Sequence, residues 1–127
     1  MKLSNLELEV MRLIWRDQEV IVPELHDELA REREITYATV KTIVNRLEEK
    51  KAIHRIRTYG RTILYGPIIS ESDLAQPIVN DVLRRLFAGK ARPMISHLLK
   101  EEKLSKEDLE YLESEISKEL RKKEKTK

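Results

Sequence analysis

Cysteine is absent from all 127 residues. The chain therefore has no disulfide framework, no thiolate metal site and no thiol nucleophile. Glycine is nearly as scarce, with three residues, and no glycine-rich phosphate loop stands among them. No apolar run approaches the ~20 residues of a membrane span, and the start MKLSNLELEV lacks the apolar stretch of a secretory leader. A soluble, cytoplasmic protein without membrane insertion is expected. Paired carboxylates and nucleophile–base sets are missing too, so no enzyme, catalytic residue or cofactor is expected. The three histidines, His26, His54 and His97, match no ligand spacing, and no metal is expected. Trp15 and Phe87 read as core residues.

Charge is plentiful. Asp, Glu, Lys and Arg make up 38% of the residues, against ~25% in an ordinary globular chain, as long solvated helices would require. The 40% hydrophobic content supports a modest core, in one domain or one small domain with an appendage.

One arrangement recurs four times: Leu3-Ser4-x-x-Glu7-Leu8, Ile35-Thr36-x-x-Thr39-Val40, Ile69-Ser70-x-x-Asp73-Leu74 and Leu104-Ser105-x-x-Asp108-Leu109. The hydroxyl accepts an unpaired first-turn N–H, the apolar pair staples the entry, and a carboxylate suits the positive helix start. Helices are expected after Ser4, Thr36, Ser70 and Ser105. Pro23 and Pro93 mark two more, since proline fits the first helical position. The predicted helices are 5–16, 23–32, 37–50, 71–87, 93–101 and 106–122, with hairpin strands at about 53–58 and 62–67. A short strand is expected at 20–22, a helix terminator at Gly89, and fraying in the charged tail LRKKEKTK. The first helix buries Leu6, Val10, Leu13 and Ile14. Three helices followed by a hairpin is a winged helix-turn-helix order. The fold expected is mainly α with a small β-hairpin: a DNA-binding domain at 1–69 and a helical dimerisation region at 70–127.

Charge is also unevenly placed. Residues 36–67 hold seven basic and two acidic residues, a net +5, while residues 1–35 carry −4. Val40, Ile43, Val44 and Leu47 share one face of the third helix. Its other faces present Tyr37, Ala38, Thr39, Lys41, Thr42, Asn45 and Arg46, and the hairpin adds Arg55, Arg57 and Arg61 around a Tyr59–Gly60 turn. A helix fits the major groove: Thr and Ala methyls suit thymine, Asn45 adenine, and Lys41 or Arg46 guanine or phosphate. The hairpin arginines suit the phosphate backbone or minor groove. The plain alternatives are a solvated helix face and a basic edge hairpin whose charges resist aggregation. The DNA-binding set is thus Tyr37, Thr39, Lys41, Thr42, Asn45, Arg46, Arg55, Arg57 and Arg61, and the partner is double-stranded operator DNA. A winged-helix protein-interaction module with an acidic partner and a ligand-responsive winged-helix regulator of another family are the competing readings.

Beyond the hairpin, Leu74, Ile78, Val82, Leu86, Leu109, Leu112, Ile116 and Leu120 form apolar stripes in excess of what the first three helices need. A second copy of the chain is their simplest cover, because palindromic operators mirror two-fold protein symmetry.

The run Leu3-x-x-Leu6-Glu7-x-x-Val10-Met11-x-x-Ile14-Trp15 resembles the first helix of the penicillinase/methicillin-resistance repressors (BlaI/MecI type). So do Thr36-Tyr37-x-Thr39-Val40-Lys41-Thr42-x-x-x-Arg46-Leu47, Gly60-Arg61 and Tyr65-x-Pro67. The likeness spans roughly 3–120, with a Ser-led helix after Lys103-Leu104. It implies a homodimeric winged-helix repressor of a palindromic operator, dimerised by its C-terminal helices. In antibiotic-responsive members a membrane sensor-protease system triggers cleavage at an Asn-Phe bond; His97-Leu98 stands there in this chain and departs from that pattern. The cysteine metal site of copper-responsive relatives has no counterpart. Lys51 stands where relatives often have glycine; in a left-handed conformation it costs roughly 1 kcal/mol.

Overall fold

A computed structural model describes residues 1–100 and 104–125; position 101 of the fifth expected helix, Lys103 and the last two residues of the tail lie outside them. The elements run α1 (Asn5–Asp17), α2 (Val22–Leu29), α3 (Tyr37–Glu49), β1 (Ile53–Tyr59), β2 (Thr62–Pro67), α4 (Glu71–Phe87), α5 (Ala91–Lys100) and α6 (Lys106–Lys125). The chain divides into two compact units, Met1–Val79 and Asn80–Lys127.

All four hydroxyl-led starts are helix caps. Ser4 and Glu7 form a reciprocal capping box, at 3.2 Å for Glu7 N–H to Ser4 Oγ and 2.9 Å for Ser4 N–H to Glu7 Oε1. Ser70 with Asp73 and Ser105 with Asp108 repeat the exchange, and Thr36 Oγ1 accepts Thr39 N–H at 3.1 Å. A helix start otherwise leaves four N–H groups unpaired, which is why these residues punctuate so reliably.

The first unit closes a core. Val10, Met11 and Ile14 of α1, Leu25 and Leu29 of α2, and Val40, Ile43, Val44 and Leu47 of α3 are buried with Val20, Val22, Ala52, Ile53 and Tyr65. Trp15 packs on the edge of this cluster and donates its Nε1–H to the Ile69 carbonyl at 2.9 Å. Glu7 is buried, and the Lys50 ammonium meets both its oxygens at 2.8 and 2.9 Å. Burial alone would raise the Glu7 pKa; the Lys50 ammonium with the Ser4 N–H and hydroxyl outweigh it and hold the carboxyl below its ordinary value. Arg16 bridges Asp17 and Glu28, and Arg33 grips Glu9 with two bonds, so α1 is tied to α2 and to the turn after it.

Several boundaries differ from the sequence reading. Helix α2 stops at Leu29 and not at 32, because Arg31, Glu32, Arg33 and Glu34 offer no apolar side chain to bury. The proposed strand at 20–22 is a single bridge, Val20 to Tyr65; Ile21 is the extended residue that precedes α2, and Val22 begins the helix. Pro23 and Pro93 occupy the second and third positions of their helices, where an N–H is equally dispensable. Helix α4 ends on Ala88 at φ 52 as well as Gly89 at φ 78, and it carries Pro77 inside. The tail expected to fray continues α6 to Lys125, where cations suit the negative helix end.

Strands β1 and β2 pair antiparallel, from Ile53 opposite Pro67 to Tyr59 opposite Thr62, with a bulge at Ile56 between Arg55 and Arg57. The two-residue loop is Gly60-Arg61, one position beyond the expected Tyr59–Gly60, and Gly60 takes φ 58 as such a turn requires. On β2, opposite His54, a Cβ on Gly66 would stand 2.5 Å from the Ile56 Cδ1 atom and 3.0 Å from the Gln18 carbonyl oxygen, so glycine lets both approach the strand closely.

The helices α4, α5 and α6 differ in kind. None of their described residues is buried. Ile78, Leu86, Ile95, Leu98, Leu109, Leu112, Ile116 and Leu120 are all exposed.

Candidate nucleic-acid interface

Helix α3 is seated by burying Val40, Ile43, Val44 and Leu47. That leaves Ala38, Thr39, Thr42, Asn45 and Arg46 exposed on its free face, with Lys41 half-buried at one side. The threonine hydroxyls are already engaged locally. Thr39 Oγ1 lies 2.9 Å from Thr36 Oγ1, and Thr42 donates to the Ala38 carbonyl at 3.0 Å. What these residues offer outward is methyl surface. Tyr37 meets the His26 ring edge-on at 5.8 Å, and His26 Nε2 lies 2.9 Å from the Ile35 carbonyl. The start of α3 is thereby fastened to α2.

The three hairpin arginines are not equivalent. Arg55 Nε bonds Glu48 Oε2 at 2.8 Å, which raises the guanidinium pKa. Arg57 bonds Glu19 at 2.9 Å and sits 5.9 Å over the Tyr59 ring. Arg61, at the loop tip, has no ion pair among the described residues, and neither do Lys41 and Arg46. In the sequence Glu48 enters only the net charge of the segment and Glu19 that of the preceding one; the folded chain pairs them with Arg55 and Arg57. Glu48 was findable, because it stands one helical turn before the hairpin and Arg55 follows it by seven residues. Glu19 was not, since it is 38 residues from Arg57.

Tyr37, Lys41 and Arg61 are brought together around one pocket between the starts of α2 and α3 and the wing; its wall also includes Thr62 and Tyr65. Asn45, Arg46, Arg55 and Arg57 lie outside it. Of the apolar positions expected to dimerise, Leu74 and Ile78 line a small cavity of about 100 Å³ with Met1, Ile69 and Pro77. Leu112, Ile116 and Leu120 share one apolar face of α6. Val82 is half-buried, and Leu86 and Leu109 are exposed.

No group of His, Asp or Glu suited to hold a metal ion occurs among the described residues. No described helix is long and apolar enough to cross a membrane.

The family model described as penicillinase repressor matches residues 3–118. The penicillinase repressor of Bacillus licheniformis is 31% identical over 111 residues, which cover 87% of this chain and 86% of that protein. The penicillinase repressor of Staphylococcus aureus is 26% identical over 111 residues, 87% of each. Among solved structures, the solution structure of the DNA-binding domain of the repressor BlaI is similar at 35% identity and a TM-score of 0.52, covering 57% of this chain and 87% of that one.

Proposed function

This chain belongs to the penicillinase repressor family, and we propose that it silences transcription as a homodimer seated on a palindromic operator. It is a DNA-binding transcriptional repressor of winged-helix form. In this reading α3 enters the major groove with Thr39, Thr42, Asn45 and Arg46 toward the base edges, and Tyr37 and Lys41 at the groove wall. The wing lies along the backbone. Repression is steric: the bound dimer occludes the operator, and no chemistry is asked of the protein. The site of action is the cytoplasm.

The observation that carries this reading is the face of α3. Its apolar side is fully committed to the core, and its opposite side is small, methyl-rich and cationic, with Arg46 unpaired among the described residues. An ordinary solvated helix face would be laced with its own ion pairs, as α6 is through Lys118–Glu115 and Lys122–Glu119.

The dimer rests on a second observation. Helices α4 to α6 carry exposed apolar residues along their length, and none of their described residues is buried. At roughly 25 cal/mol per Å², covering such stripes is a strong drive to association. Leu74, Ile78, Val82, Leu86, Leu109, Leu112, Ile116 and Leu120 are the proposed contacts, and residues 70–127 the dimerisation region. His97 and Leu98 are exposed in α5; a sensor-protease input there remains a proposal apart from operator binding.

Footprinting DNA upstream of the gene and its neighbours tests the reading. One protected palindrome, bound in preference to random duplex at fixed salt, is the expected result. Equal affinity for all duplexes, or binding to acidic protein only, defeats it. Arg46→Ala should cost ~1–3 kcal/mol at the operator while leaving the fold intact.

A further inference from the structure

Two charged residues stand where the apolar stripes of their helices would continue. Glu7 precedes Val10 by three positions and Met11 by four, so it lies on the core face of α1. Lys50, the cap at the end of α3, follows Leu47 by three and extends that helix's core face. The start of α1 thus meets the end of α3 through a carboxylate and an ammonium, at 2.8 and 2.9 Å. Glu7 is the one buried charged residue among the described residues. Its side chain is 6% exposed, whereas Glu9, Glu19, Glu28 and Glu48, which pair with arginines of this unit, each keep 30% or more.

Both groups are held from behind. Ser4 N–H bonds Glu7 Oε1 at 2.9 Å, so the carboxylate cannot move without opening the first turn of α1. Lys50 N–H bonds the Arg46 carbonyl at 2.9 Å, and Ala52 N–H returns to the Leu47 carbonyl at 3.0 Å across the left-handed Lys51. The Lys50 ammonium also bonds the Lys2 carbonyl at 3.0 Å, so its three donors meet three acceptors. Its charge therefore faces α1 and is withdrawn from the cations that can meet DNA.

Such a pair is a poor source of stability. Desolvation offsets most of the attraction, and an apolar pair of similar volume is often as stable. What an ion pair supplies is a fixed distance, whereas apolar burial is non-directional and tolerates sliding. Register is the best-attested use of a buried pair, and here the register is that of α3 against α1.

We propose that Glu7 and Lys50 are positioning residues for operator recognition: their pair locks α3 against α1 and so sets the angle at which Thr39, Thr42, Asn45 and Arg46 meet the base edges. This role rests on the operator reading and adds to it two residues that touch no DNA. Base-edge readout depends on that angle, while attraction to the backbone is driven by charge and is independent of sequence. Loss of the pair costs discrimination between duplexes and spares general affinity.

The experiment compares the full-length chain with the double variant Glu7→Gln/Lys50→Met, which removes the pair and keeps side-chain lengths and net charge. Ile14→Val, a buried change in α1 without charge, controls for a general loss of stability. Affinities for the footprinted operator and a random duplex are measured across a salt series, well below the thermal midpoints. In the double variant operator affinity should fall about tenfold, the scale of one lost base-edge contact. Its random-duplex affinity and salt slope should stay native, and Ile14→Val should keep the native ratio. An undiminished ratio in the double variant overturns the proposal, and so does an equal fall in Ile14→Val. A slope shallower by about one makes Lys50 a phosphate contact and overturns it too. Should the double variant not fold, Glu7→Gln alone carries the same outcomes, because it keeps an acceptor for Ser4 N–H and leaves the ammonium free to reach water. Residual dipolar couplings need no DNA: those of α1 and α3 should no longer fit the native frame once the pair is gone. Couplings that still fit that frame overturn the positioning role. A native chain that prefers no duplex sinks the operator reading and this role with it, whereas a native preference that survives in the variant sinks the role alone.

Discussion

The first 79 residues and the helices that follow use the same local grammar and reach opposite outcomes. Both open helices with a hydroxyl-led cap, and both place apolar residues at helical spacing. In Met1–Val79 the apolar faces of α1, α2 and α3 converge on the wing, and Val10, Ile14, Val40, Val44, Leu47 and Tyr65 are sealed from solvent. Along α4, α5 and α6 no described residue is buried. An amphipathic face states that something must cover it; it does not state what. One region finds its cover within the chain, and for the other we propose a second copy.

The strongest way to break that comparison is to cut between the regions. A fragment of residues 1–79 should fold cooperatively, sediment as a monomer and keep half-site binding. It should lose ~10²–10⁴-fold in affinity for the full palindrome, because the second half-site contact is no longer intramolecular. A fragment that binds the palindrome as tightly as the whole chain removes the case for dimerisation through the C-terminal helices.

Two point substitutions sharpen the contrast. Leu47→Ala, in the closed core, should cost ~2–5 kcal/mol at every protein concentration. Ile116→Asp, on the open stripe, should leave the melting of the 1–79 core intact and shift the monomer–dimer equilibrium toward monomer, which is read by sedimentation across a dilution series. If both variants behave alike at all concentrations, the two regions are one cooperative unit.

Within the first unit, the wing offers its own comparison. Arg61 is unpaired among the described residues, whereas Arg57 is held by Glu19. Arg61→Ala should flatten the slope of log affinity against log salt by about one. Arg57→Ala should flatten it less, since the carboxylate it releases repels the same backbone. Equal slopes would show that the Glu19 pair opens fully on DNA.

The pH response separates the regions again. The Glu7 carboxyl of the core sits below its ordinary pKa through Lys50 and Ser4. Since the folded value is the lower one, its stabilisation is complete above the unfolded value of about 4.3 and is lost as pH falls through the folded value. Acid titration followed by circular dichroism should show the native chain losing more stability than Glu7→Gln below that point, by about 1 kcal/mol given the half-exposed Lys50.

The smallest effect is local. Lys51 takes φ 62 just past α3, so Lys51→Gly should stabilise the first unit by roughly 1 kcal/mol, measured as a raised denaturation midpoint.

Much of this molecule was readable without coordinates. The caps were legible because a hydroxyl three residues before a polar side chain solves a local problem, the unpaired N–H groups of the first turn. The buried face of α3 was legible because 3.6-residue periodicity is local as well. At Lys51 the resemblance pointed to the site, because relatives often have glycine there, and the structure supplies the left-handed conformation, φ 62. Less legible were the ends, such as α2 stopping at Leu29, where tertiary burial decides how far a helix is worth continuing.

By itself, then, the amino-acid order determined the helices, the hairpin, the basic character of the α3–wing segment and the likeness to a repressor family, since each depends on residues within a few positions of one another. Tertiary structure alone decided which cations are free. Glu19 reaches Arg57 across 38 residues, and Arg61 at the tip has no ion pair among the described residues. It also decided that Tyr37, Lys41, Arg61 and Tyr65 line one pocket against the start of α2. Charge and hydrogen-bonding capacity are properties of a residue, but their satisfaction depends on neighbours that only the folded chain supplies.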